Sequence, residues 1–182
     1  MEFVDKRTIK TDKVLNELDK FVLAFVRLLE EHVDYVIVSG YVSILLGRTR
    51  DTDDVDVFIK EKSKEAFYKL YDDLKRCGFW CLNAEGADEV YAYLEEGLAV
   101  RFALKDETTP NFEIKFAQKK SVLAAFEDAI IVITMEGKIR ISSLERQIAF
   151  KRYYLKSYRD LEDAQHIESV FKEHINFKKI ES

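Results

Sequence analysis

Over residues 11–31 the apolar side chains fall three and four apart: Val14, Leu15, Leu18, Phe21, Val22, Phe25, Leu28 and Leu29. That spacing predicts an amphipathic helix. The pattern changes at 35–39, a continuous apolar run short enough for a buried strand. The apolar stretch 41–46 ends at Gly47 and suits a short helix with a glycine cap. Residues 54–60 alternate, which predicts a strand with Val55, Val57 and Ile59 inward. Ser63 then caps a helix carrying Phe67, Leu70, Tyr71 and Leu74, which stops at Gly78. A strand is expected at 79–83. The stretch 87–96 fits a helix, but its part 90–94 also fits a strand. Two strands, 98–104 and 111–117, are joined by a turn ending in Pro110, and 122–126 suits a short helix. Residues 130–135 and 138–141, joined through Glu136-Gly137, read as a hairpin. Ser142 and Glu145 form a capping-box signature that opens a helix to about Leu155, with Leu144, Ile148 and Leu155 on one face. Ser157 begins a last helix carrying Leu161, Ala164, Ile167 and Phe171.

The elements add up to an α/β (α+β) unit with a mixed sheet. We expect an N-terminal helix packing on the core (1–32), the core itself (33–135) and a C-terminal helical pair (136–182), integrated as one domain. With 182 residues, 47% hydrophobic and 35% charged, the chain can bury a sizeable core. The net charge of −5 argues against nucleic-acid binding through the bulk field, while leaving room for a local basic groove. Cys77 and Cys81 have no second pair beside them, so neither a disulfide framework nor a zinc site is indicated. His32, His166 and His174 lack metal-ligand spacing and read as surface or packing residues. The sequence shows neither a signal peptide nor a membrane-length apolar run, so a cytoplasmic location is expected. One proline, many Lys, Arg and Glu, and few Gln and Asn resemble the balance of thermophile proteins.

The chemistry concentrates at one strand. Asp51, Asp53, Asp54 and Asp56 crowd the start of 54–60, although Asp is depleted in strands and the charges repel. Asp54 and Asp56 share a face, roughly 7 Å apart at Cα. The bland alternative is a solvated edge strand. An EF-hand fails, because counting from Asp51 its sixth and twelfth places hold Asp56 and Lys62. Gly40 and Gly47 lack the spacing and the lysine of a P-loop. Glu113 is the candidate third acid, in an apolar strand where it needs a cation or an ion-pair partner such as Arg101.

In order, Ser39-Gly40, Asp54-Val-Asp56 and Glu113 resemble the nucleotidyltransferase superfamily whose fold is that of DNA polymerase β: strand, glycine turn, short helix, acid-x-acid strand, and a third acid on a later strand. The stretch from Arg50 to Asp56 further resembles the Arg-x-Thr-x-Asp-x-Asp signature of the AbiEii-type branch, some of whose members are toxins neutralised by an antitoxin. Lys151 and the stretch from Arg159 to Asp163 resemble a basic-then-Asp-rich helical element of these families. One departure is Tyr41, where a second small residue usually follows the glycine.

The resemblance implies transfer of a nucleoside monophosphate from a nucleoside triphosphate to a hydroxyl on a small molecule, a protein or an RNA. It implies Mg²⁺ or Mn²⁺ on Asp54, Asp56 and Glu113, the same residues being catalytic, with Glu113 as metal ligand or general base. It implies nucleotide binding by Ser39, Gly40, Arg50 and Lys151, with Arg48 a further candidate. Two alternatives stand beside it: a toxin that modifies tRNA and pairs with an antitoxin, and a catalytically silent binding module.

Overall fold

The computed structural model describes residues 1–180. A single mixed sheet organises it, with nine strands in the order β1-β2-β8-β9-β3-β4-β7-β6-β5. The strands are β1 Glu2–Asp5, β2 Thr8–Lys10, β3 Tyr35–Val38, β4 Asp54–Ile59, β5 Phe79–Cys81, β6 Val100–Leu104, β7 Asn111–Phe116, β8 Ile130–Ile133 and β9 Lys138–Ile141. The helices are α1 Glu17–His32, α2 Gly40–Leu45, α3 Lys64–Arg76, α4 Gly86–Glu95, α5 Lys120–Glu127, α6 Leu144–Phe150 and α7 Tyr158–Phe171.

The alternation in β4 does what the sequence pattern requires. Val55, Val57 and Ile59 are buried against one face, with Phe112, Ile114 and Phe116 of the parallel neighbour β7 beside them. α1 covers this face, and its Phe25 ring stacks on Phe112 at 3.8 Å between centroids. The opposite face is only partly covered. There α5 packs Ala125 and Phe126 over Val36 and Ala117, with Val38 and Phe58 alongside. Asp54, Asp56 and Glu113 sit on this second, more open face.

Several expectations shift. α1 begins at Glu17 rather than at 11, because the Asn16 side chain accepts from the Asp19 N–H while Asp19 accepts from the Asn16 N–H. The ambiguous stretch 87–96 is helical. The expected box at Ser142 does not form: the helix is capped at Ser143, and the Ser142 hydroxyl accepts from Gln147 Nε2 at 2.5 Å. The helix runs on to Leu155, but as a π turn over Lys151–Leu155, and Leu155 is exposed. The hairpin at β1 and β2 carried no sequence signal; its strands are three and four residues long and mostly exposed. Strand β9 lies beyond the expected core boundary at 135, yet it sits between β8 and β3, with Ile141 paired to Ile37.

Candidate active site

Register decides the geometry of the acids. β4 and β7 run parallel with Asp56 opposite Glu113 and Asp54 opposite Asn111. Since residues two apart share a face, the three carboxylates stand on one side of two adjacent strands. β3 pairs antiparallel to β4 with Val38 opposite Asp56, so the chain leaves β3 for Ser39 and Gly40 beside the same carboxylates. Ser39 has φ 66° and ψ −137°, a backbone conformation that a residue with a side chain adopts only when its surroundings hold it there.

The electrostatics separate the three acids. Burial pushes the Asp56 carboxyl up to about 6, and the neighbouring charges of Asp54 and Glu113 add to it, while Ser39 and Lys115 oppose. An anion so disfavoured is one that a divalent cation would relieve. For Glu113, burial also raises the proton affinity, but hydrogen bonds from Lys115 and Arg101 outweigh it and hold the carboxyl below its ordinary range. Its oxygens lie 3.1 Å from Lys115 Nζ and 3.0 Å from Arg101 Nη2. The ion pair foreseen with Arg101 therefore exists, but it is open to solvent: Arg101 is half exposed and faces the same side. The acids line neither the cleft of about 720 Å³ between α1 and the 50–53 loop nor that of about 690 Å³ beside β1 and α6. They form an open face rather than a deep pocket.

Tyr41 does not crowd the turn. Its ring is wholly buried and its hydroxyl donates to Asp19 Oδ1 at 2.8 Å. Asp19, itself without exposure, also binds Lys13 Nζ at 2.9 Å. Tyr41→Phe is therefore expected to destabilise the fold by about 1.5–3 kcal/mol, the worth of a hydrogen bond to a charged group. It should leave triphosphate affinity unchanged; a denaturant titration and a nucleotide titration check both halves.

The basic residues expected at phosphates are gathered around one buried carboxylate. Asp163 on α7 is fully buried and takes Lys151 Nζ at 2.8 Å, Arg50 Nη1 at 2.5 Å and Arg48 Nε at 3.4 Å. Arg48 also binds Glu162 at 2.6 Å, and Lys151 has no exposed surface. The Arg50 guanidinium lies against Gly40, so close that a Cβ there would come within 2.9 Å of Nη2. His166 on α7 meets the Leu46 carbonyl at 3.0 Å, a further tie between α7 and α2. In this arrangement Arg50 reaches the turn and Lys151 supports it from behind. Asp163 closes the Asp-rich element of α7, and only the fold reveals its role as a shared anion. Among the described residues, the set of three metal-type donors lying within 4.8 Å of one another is Glu31, His32 and Asp73, not the sheet acids. There His32 Nε2 meets Asp73 at 2.7 Å and Arg76 takes the other Asp73 oxygen at 2.9 Å, a surface ion-pair group.

The family described as "Nucleotidyl transferase of unknown function" (DUF2204) matches residues 17–179. The chain belongs to this family. No curated protein matches it in sequence. Among solved structures, an antigenic nucleotidyltransferase-like protein from Paracoccidioides brasiliensis superposes with a TM-score of 0.55 at 16% identity, over 89% of this chain and 82% of that one. The lincomycin-bound lincosamide antibiotic adenylyltransferase LnuA gives 0.55 at 16%, over 87% and 99%. JHP933 from Helicobacter pylori gives 0.52 at 21%, over 91% and 72%. At these identities the likeness is one of fold, and the fold is that of nucleotidyltransferases.

Proposed function

We propose that this nucleotidyltransferase moves a nucleoside monophosphate from a nucleoside triphosphate to a hydroxyl acceptor, using Asp54, Asp56 and Glu113. The observation that carries the reading is the Asp56–Glu113 register pair, with Asp54 on the same face beside the strained Ser39-Gly40 turn. Asp54 and Asp56 fit a divalent metal, because each is an oxygen donor and Asp56 is an anion its surroundings disfavour. When bound there, Mg²⁺ or Mn²⁺ would neutralise charge on the phosphates.

The chain's own groups do the rest. The Gly40 turn offers backbone N–H groups to phosphate oxygens, and Arg50, held against it, adds a fixed positive charge. The acceptor oxygen bonds to the α-phosphorus, the bond from that phosphorus to the oxygen bridging to the β-phosphate breaks, pyrophosphate leaves, and the hydroxyl proton passes to solvent. Glu113 is a poor proton acceptor because Lys115 and Arg101 stabilise its charged form, so a ligand role suits it better than that of general base. The Tyr41 ring is buried with its hydroxyl on Asp19, which supports an active enzyme over a silent module. An adenylyl donor is the first to test, since LnuA shares the fold.

Incubation with each α-labelled triphosphate, Mg²⁺ or Mn²⁺, and pooled small-molecule, protein and RNA acceptors is expected to label one pool. The absence of both label transfer and triphosphate binding would dismiss the reading.

A further inference from the structure

The turn between α6 and α7 exposes aromatic rings in a way that packing does not explain. Phe150 is 44% exposed, Tyr153 50%, Tyr154 78% and Tyr158 80%, all within nine residues of chain. So many exposed aromatic rings close together in the chain mark an interaction surface. Phe150 and Tyr154 are already stacked, 5.7 Å between centroids with ring planes 24° apart, so this ring pair is ordered before any partner arrives. The backbone beneath is a π turn that ends at Lys156 in the left-handed region, φ 58°. π turns recur at functional sites.

The charge around the rings selects the occupant. Lys156 and Arg159 are exposed and make no ion pair among the described residues. The carboxylates nearby are engaged: Asp160 by Ser157 and Lys151, Glu162 by Arg48, and Glu168 by Arg152. The local field is thus positive on a protein of net charge −5. Stacking faces beside uncommitted cations suit nucleobases joined by phosphates. A two-fold dimer through this patch would instead set Lys156 and Arg159 against their own copies. The patch is also tied to the Gly40 turn. Lys151 opens the π turn and binds Asp163, which holds Arg50 against Gly40.

We infer that this surface binds a single-stranded nucleic acid, which presents its terminal hydroxyl to the carboxylate face as the acceptor. The inference rests on the nucleotidyl-transfer reading for the fate of that hydroxyl, but not for the binding itself. The test uses the full chain and fluorescein-labelled 12-nucleotide RNA and DNA single strands, with a duplex as control, read by anisotropy. Single strands should bind better than the duplex, and the RNA and DNA arms show which sugar is preferred. Tyr154→Ala with Tyr158→Ala should weaken binding at least tenfold. Lys156→Ala with Arg159→Ala should reduce the slope of log affinity against log salt by about 1.4, or about 0.7 for each lost contact. Asp54→Ala should bind as wild type while failing to extend the strand, which separates this inference from the catalytic one. Wild-type binding without transfer from any triphosphate would spare the platform and dismiss the catalytic reading. No single-strand binding, equal binding by the tyrosine variants, or a dimer in light scattering that Tyr154→Ala dissolves would overturn the inference.

Discussion

Asp56→Asn is expected to lower nucleotidyl transfer by at least about a thousandfold while making the metal-free protein more stable at neutral pH. The first half follows from removing a ligand charge where phosphate charge must be met; a Lewis acid contributes several kcal/mol to such a step, and each 1.36 kcal/mol is tenfold. The second half follows from the raised carboxyl, about 6 against an ordinary value of 3.8. A raised acid binds its proton more tightly in the folded state, so its contribution is full below about pH 4 and is lost as pH rises through about 6. At pH 7 the wild type carries that penalty and the asparagine variant does not. The difference is about 1–3 kcal/mol, since two units correspond to roughly 2.7 kcal/mol and the partly open site screens some of it. Below about pH 4 the two proteins should melt together. Added Mg²⁺ should raise the wild-type melting temperature and leave the variant nearly unmoved. Retained transfer, or equal stabilisation of both proteins by Mg²⁺, would remove Asp56 from the site.

What the sequence could reveal here had a physical limit. Periodicity exposes an element when one face is buried along its length, so α1, α3, β4 and β7 could be read directly. The acids could be read because two Asp in alternation on a strand violate strand composition and therefore demand a reason. The N-terminal hairpin could not be read, because β1 and β2 are too short and exposed to alternate. The start of α6 lies one residue beyond the expected cap because Ser142 and Ser143 both fit one, and Gln147 in the same helix claims the Ser142 hydroxyl, a contact that spacing does not reveal. The direction of the Tyr41 ring could not be read for a similar reason. Its direction depends on Asp19, 22 residues earlier, which a local reading does not connect. The same holds for Asp163, which ordinary helical patterning places on a surface and which the fold buries under three cations.

Asp163→Ala is therefore expected to be the most damaging single change to stability, at about 3–5 kcal/mol, because it strands Lys151 as a buried charge without its closest partner. Lys151→Met should cost less, since Asp163 keeps Arg50 and Arg48. Asp163→Ala combined with Lys151→Met should recover part of the loss, because the lysine that would be stranded is gone; a coupling of about 1–3 kcal/mol is expected. The pH dependence runs opposite to that of Asp56. Burial raises the proton affinity of Asp163, but Lys151 and Arg50 outweigh it and hold the carboxyl below its ordinary range. Its contribution is present above about pH 4 and disappears as pH falls through the lowered value, so the gap between wild type and Asp163→Ala should be constant at neutral pH and close in acid. Urea titrations of the four proteins at pH 7 and in acid measure all of this. A loss under 1 kcal/mol for Asp163→Ala, or no coupling with Lys151, would mean that the cluster does not hold Arg50 against the Gly40 turn. Transfer should fall in Asp163→Ala even where the protein remains folded, because an Arg50 freed from its carboxylate no longer stands at a fixed distance from the turn proposed to receive the phosphates.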